Sequence, residues 1–206
     1  MRDWSDAHIR RRLEPYGVSV TPALAQAIRE YTALLLQWNA RTNLTRITDP
    51  DEILGRHFGE SLFAGALLRN PSGKLADVGS GAGFPGLALK LACPLLEITL
   101  IESNMKKATF LAEVQRKLDL KGVEILRARM EDVHTPRFDQ ITARAIGKLD
   151  ELLQWAGSSL APGGGIILWL GDEDVHRLRK HAQWDWADAK QIPNSRGTFI
   201  LAGQPK

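Results

Sequence analysis

In Lys74-Leu-Ala-Asp-Val-Gly-Ser-Gly-Ala-Gly-Phe-Pro-Gly86 an acid, Asp77, is followed by Gly79, Gly81 and Gly83 at alternate positions. Glycines so spaced let the main chain turn tightly and let a ligand lie against the backbone, as a cofactor-binding loop requires. A dinucleotide loop needs glycine at its first, third and sixth positions. The sixth position here is Phe84, so the nicotinamide or flavin reading fails at one of its three glycines. A P-loop is excluded as well, because no Gly-Lys-Ser/Thr follows. A purely structural glycine turn is the plain alternative.

A second acid, Glu102, ends the next apolar run, Ile98-Thr-Leu-Ile-Glu102. In an open α/β fold that position lies at the carboxyl end of the sheet, beside the glycine loop, where ligands bind. Its carboxylate can accept hydrogen bonds from two adjacent ribose hydroxyls. The alternative is a solvated acid ahead of Ser103 and Asn104. NAD enzymes place an acid at similar spacing, so Glu102 alone does not choose the cofactor. Further along, Arg144 closes the run Gln140-Ile-Thr-Ala-Arg144. Its guanidinium suits a phosphate or a guanine edge, or else it pairs with Asp77 or Asp139.

These residues need a sheet to hold them. From Lys74 onward short apolar runs alternate with helical stretches. Strands are expected at 75–78, 97–101, 123–126, 140–143 and 165–170, and helices at 85–92, 105–120, 148–160 and 174–181. A pair at 186–192 and 198–201 suits an antiparallel ending. This alternation predicts an α/β fold with a mostly parallel sheet covered on both faces. The first seventy residues read as helical. Thr21-Pro22 is a helix start, and Leu24, Ala27, Ile28, Tyr31, Leu34, Leu35 and Trp38 recur behind it at helical spacing. Asp49-Pro50 repeats that signal ahead of a helix to about residue 68. Asn70-Pro-Ser-Gly73 then divides a helical extension, 1–70, from the main domain, 71–206, the two packing as one unit.

The 206 residues are 44% hydrophobic and 25% charged, an ordinary globular composition. No apolar run reaches the roughly 18 residues of a membrane span, and the amino-terminal stretch mixes acids with bases, unlike a signal peptide. Cys93 is the single cysteine, so an internal disulfide is excluded and a cytoplasmic setting is expected. The five histidines lack metal-ligand spacing, so no metal is expected, and a monomer is. The net charge is +3, and residues 103–121 supply it through Lys106, Lys107, Arg116, Lys117 and Lys121 against Glu113 and Asp119. Such a stripe is either a footprint for phosphates or a solvated helix face.

The spacing acid-x-Gly-x-Gly-x-Gly resembles motif I of class I methyltransferases. Arg129-Met-Glu-Asp132 stands where those enzymes flank an adenine. More specifically, Asp77 to Gly86, Leu100-Ile-Glu-Ser-Asn-Met-Lys-Lys107 with Phe110-Leu111, and Ala143-Arg-Ala145 resemble the RsmG (GidB) family. Trp38-Asn39, Asn43-Leu-Thr45, Arg56-His57 and Ser61-Leu62 match it too, so the similarity runs from about residue 30 to 150. The resemblance implies a Rossmann-like methyltransferase fold with S-adenosylmethionine as cofactor. It also implies methylation of ring nitrogen 7 of a guanine in the 530 loop of bacterial 16S rRNA, with the small ribosomal subunit as partner. Carried over by position, cofactor contacts fall on Gly79, Phe84, Glu102 with Ser103 and Asn104, Met130, Glu131 and Arg144. Asp77, Gly81 and Gly83 complete the loop. The chain departs from the family at Glu60, where an aspartate is expected, and at Leu170-Gly171, where lysine-glycine is common.

Arg41, Arg46, Arg56, Lys106, Lys107, Arg127, Arg144, Lys148 and Arg196 are the RNA-binding candidates, flanking the expected ligand edge or the basic stripe. No Asn/Asp-Pro-Pro-Tyr/Phe motif for exocyclic amines is present, and Cys93 precedes Pro94, the wrong order for carbon-5 chemistry on cytosine. Cys93 reads as a small buried filler and His57 as a packing residue. Ring nitrogen 7 of guanine carries a free lone pair, so no catalytic acid or base is expected. Two alternatives remain: a methyltransferase of the same fold with another substrate, and a cofactor-binding ribosome-assembly factor without activity.

Overall fold

A computed structural model describes residues 4–134 and 137–206 of the chain. Among these, eight strands form one sheet in the order β3-β2-β1-β4-β5-β8-β6, with β7 also paired to β8. The strands are β1 (Lys74–Val78), β2 (Glu97–Ile101), β3 (Val123–Leu126), β4 (Phe138–Arg144), β5 (Leu160–Gly171), β6 (Trp184–Trp186), β7 (Lys190–Gln191) and β8 (Thr198–Pro205). Strands β1 to β5 are parallel, and β8 runs antiparallel to β5, β6 and β7. The order reverses at β1, so the connections leaving the paired strands β1 and β4 turn to opposite faces of the sheet and leave a crevice there.

Alternation along β1 sorts the two cores. Leu75 joins a cluster with Ile98 and Leu100, while Ala76 and Val78 join the cluster on the opposite face. The first face is covered by α2 (Pro22–Thr42), α3 (Gly86–Ala92) and α4 (Met105–Lys117), together with the small helix α1 (Asp6–Leu13). The second is covered by α5 (Leu149–Ser159) and α6 (Asp172–Leu178). Ile9, Leu13, Ile28, Tyr31, Leu35 and Phe58 are fully buried in the same cluster as the sheet residues Leu75 and Leu100. The helical first third thus has no separate core of its own among the described residues.

Helix α2 starts where its signals stand, with the Thr21 hydroxyl accepting from Leu24 N–H and proline at the first turn. It stops at Asn43, which takes the left-handed conformation at φ 50°. The single helix expected to follow Asp49-Pro50 is instead broken. A short α-turn runs into a π-helix, Ile53–Gly59, then another α-turn, then a 3₁₀ segment, Phe63–Leu67. Tyr16 presses against this stretch. A Cβ on Gly59 would lie 2.4 Å from the Tyr16 ring, so only glycine admits the ring there.

Two further boundaries differ from expectation. Strand β5 begins at Leu160 rather than 165, because α5 passes directly into it and an irregularity opposite Phe138 absorbs the glycines. The single strand expected over 186–192 divides into β6 and β7, which pair with different stretches of β8. No helix among the described residues is long and apolar enough to cross a membrane.

Candidate active site

The loop from Gly79 to Phe84 joins β1 to α3 at the carboxyl end of the sheet. Gly79, Gly81 and Gly83 have φ of +69°, +58° and +84°, a region that side chains with a Cβ rarely enter. The loop folds back on the neighbouring strand, with the N–H groups of Gly79 and Ser80 donating to the Ile101 carbonyl at 2.8 and 3.3 Å. Asp77 lies beneath it, fully buried, with one oxygen accepting from Gly86 N–H at 3.1 Å and the other from the Thr142 hydroxyl at 2.9 Å. It braces the loop from below and does not reach the cleft. Burial pushes its carboxyl up to about 7, against the pull of the Thr142 and Gly86 hydrogen bonds.

Glu102 fastens the loop from the other side. Its two oxygens accept from Gly81 N–H at 2.9 Å and Asn104 N–H at 2.8 Å. A carboxylate has about four acceptor positions, so two stay available for a diol. The Asn104 carboxamide is used locally, accepting from Lys106 and Lys107 N–H as the cap of α4. Phe84 turns away from the cleft. Its ring is stacked between His57 (centroids 4.6 Å apart) and Tyr31 (5.2 Å), and the Tyr31 hydroxyl donates to the Ala82 carbonyl at 2.6 Å.

A cleft of about 260 Å³ opens beside Gly79. Val78, Ile101, Ala128, Met130 and Ile146 give it apolar walls, and Ser103, Arg129, Glu131 and Lys148 give it a polar rim. Gly79, Ser103, Met130 and Glu131 therefore line it, whereas Asp77, Gly81, Gly83, Phe84, Glu102, Asn104 and Arg144 do not. Ile101, Ala128, Ile146 and Gly147 were not anticipated. The signal for the last two is the bend after β4, where Ala145 sits at φ 56°. A Cβ on Gly79 would meet Ile146 at 3.6 Å and take up space at the cleft. Apolar walls, main chain bared by glycine and, next to the lining residue Ser103, an acid with unused lone pairs fit an adenosine-bearing group.

Arg144, at the end of β4, pairs with neither Asp77 nor Asp139. Its Nη2 lies 2.8 Å from Glu60 Oε2, and Nη1 donates to the Arg56 carbonyl at 2.9 Å. Asp139 instead accepts from Lys74 N–H at 2.8 Å. Nearby, His57 Nε2 meets the Thr45 hydroxyl at 3.0 Å, and Thr45 is itself held by Asn39, which both donates to its carbonyl and accepts from its N–H. Burial, with Arg144 and Arg56 adding to it, lowers the His57 pKa to about 3, so the ring is neutral at pH 7.

The cationic candidates divide by location. Lys106 and Lys107 open α4, Lys148 borders the cleft, Arg127 directly follows the carboxyl end of β3, and Arg56 meets Arg144 through its carbonyl. Arg196 lies in the turn before Thr198, which pairs with Gly171 at the carboxyl end of β5, and so shares that end of the sheet. Arg41 and Arg46 are exposed on either side of the Asn43 turn. Arg116 and Lys121 lie at the opposite end of α4, paired with Glu113 and Asp119 at 2.6 Å each. The basic stripe is therefore split, and only its first half lies at the end of α4 that follows Ser103 of the cleft. Among the described residues no group of three or more metal-ligating side chains converges.

The family model described as rRNA small subunit methyltransferase G matches residues 24–196. The ribosomal RNA small subunit methyltransferase G of Stenotrophomonas maltophilia (strain K279a) is 42% identical, over 75% of this chain and 73% of that protein. Its counterpart in Halorhodospira halophila is 38% identical, over 92% of this chain and 91% of that protein. Among solved structures, ribosomal protein L11 methylase from Lactobacillus delbrueckii subsp. bulgaricus superposes with a TM-score of 0.62 at 15% identity, covering 73% of this chain and 79% of that one. Magnesium protoporphyrin IX methyltransferase from Synechocystis, solved with bound SAM, gives 0.63 at 11% identity, covering 84% and 96%. At such identities the two structures speak for the fold alone: a class I methyltransferase sheet.

Proposed function

This chain belongs to the rRNA small subunit methyltransferase G family, and from that premise we propose that it methylates ring nitrogen 7 of a guanine in the 530 loop of bacterial 16S rRNA, using S-adenosylmethionine. The match across residues 24–196 carries the reading, because it takes in the cleft and most of the helical segment together. S-adenosylmethionine, when bound, supplies a methyl group activated by its sulfonium.

The chain's own residues bind and orient. Glu102 would accept from the ribose hydroxyls with the lone pairs left over from Gly81 and Asn104 N–H. Met130 and Glu131, which share the cleft with Ile101 and Ile146, would hold the adenine. The bared main chain at Gly79 admits the rest of the cofactor. Ring nitrogen 7 of neutral guanine has no proton to lose, so the work left to the protein is alignment and exclusion of water. His57, neutral at pH 7 and held by Thr45, lacks the imidazolium proton that general-acid work would use.

The test is transfer of labelled methyl from S-adenosylmethionine to unmodified 30S subunits and to naked 16S rRNA, with the site mapped by cleavage at methylated guanine. Label at the 530-loop guanine is expected. Cofactor binding without label on either RNA would overturn the substrate and leave a non-catalytic binding role.

A further inference from the structure

The strand-end arginine is held by a device that the methyl transfer itself does not call for. Glu60 and Arg144 form an ion pair at 2.8 Å with side chains only 9% and 18% exposed. The second anchor is the Arg56 carbonyl, inside the π-helix Ile53–Gly59. Such wide turns recur at functional sites, where an inserted residue re-aims its neighbours. Glu60 is fastened in turn, for its own carbonyl accepts from the buried Trp169 Nε1 at 2.9 Å. An arginine has five N–H donors in a rigid fork, and these two contacts leave donors for a ligand.

Burying a carboxylate is costly unless a partner and hydrogen bonds compensate. Burial raises the Glu60 carboxyl, and Arg144 and then Arg56 draw it back down. An apolar residue would serve packing at this position better than a buried ion pair. We propose that Glu60 is a positioning residue: together with the Arg56 carbonyl it fixes the Arg144 guanidinium at the end of β4, so that the remaining donors meet the acceptor base across from the cofactor. This rests on the substrate reading above. It makes the amino-terminal segment part of the acceptor side of the site rather than a cover for the sheet.

Glu60→Gln keeps the shape and removes the charge. The expected result is a fall in kcat on the order of 10²-fold, as a misplaced orienting group gives, with cofactor Kd unchanged. Glu60→Asp, which keeps the charge on a shorter arm, should recover most of the loss. In an Arg144→Lys background, Glu60→Gln should cost little more, because its effect passes through the arginine.

A second readout needs no substrate. A guanidinium clamped at both Nη atoms rotates slowly, so the wild-type protein should show resolved Arg144 Nη signals by nitrogen-15 NMR, and Glu60→Gln should average them. An unchanged kcat in Glu60→Gln, the same cost with and without Arg144, or averaged signals in the wild-type protein would each overturn the proposal. Wild-type protein that leaves rRNA unlabelled while its Nη signals stay resolved would instead be a failure of the substrate reading.

Discussion

Asp77 and His57 are both buried titratable groups, and their burial acts on stability in opposite directions. Asp77 titrates near 7 in the fold against 3.8 for the free group, so the folded chain holds its proton more tightly. Its contribution is present below about pH 4 and is lost as pH rises toward 7. His57 titrates near 3 against 6.5, so the folded chain refuses the proton, and its contribution is lost as pH falls from 6.5 toward 3. Between about pH 4 and 6.5 the two slopes oppose each other. Asparagine at position 77 can still accept from Gly86 N–H and donate to the Thr142 hydroxyl, but it does not titrate. Asp77→Asn should therefore gain stability, relative to wild type, by up to about 1.4 kcal/mol per pH unit as pH is raised from 4.5 to 6.5. Urea unfolding at several pH values measures this, and parallel curves for the two proteins would show that Asp77 ionises in the ordinary range.

At the scale of elements, the helix α2 reaches the site through Tyr31. That residue stood out in the sequence only as one more apolar position on a helix face, yet its ring stacks on Phe84 and its hydroxyl holds the Ala82 carbonyl. Removing the hydroxyl leaves that carbonyl without its side-chain donor, and Tyr31→Phe should cost about 1–2 kcal/mol and weaken cofactor binding. Calorimetric titration with S-adenosylmethionine, beside a denaturation curve, checks both. Lost stability with full affinity would confine Tyr31 to the core. The parallel strands were legible because short apolar runs and glycine turns are local signals, and so was Glu102 at its strand end. The segment 50–67 was not, because its breaks answer to the Tyr16 ring and to Arg144, both distant in sequence. For the same reason Arg144 could be placed on its strand but not given its partner. Glu60 lies 84 positions earlier, and no local spacing reports such a contact.

Across the whole molecule, modest net charge hides an uneven arrangement. Lys106, Lys107, Arg127, Lys148 and Arg196 share the end of the sheet that bears the cleft, while Arg116 and Lys121 sit at the far end with acidic partners. Lys106→Glu with Lys107→Glu should weaken RNA binding and flatten its dependence on salt while sparing cofactor affinity. The same reversal at Lys117 and Lys121 should do neither. Binding curves across a salt series compare the pairs, and equal effects would return the stripe to a solvated helix face. Ile28, Tyr31 and Phe58 are made before the strands that bury them, and Glu60 waits for Trp169. During vectorial synthesis the first third of the chain therefore emerges with its apolar face uncovered, and nothing but the later two thirds completes it. A nascent chain halted before β5 would still lack the tryptophan that fastens Glu60, so the acceptor side of the site is assembled last although most of its residues are translated first.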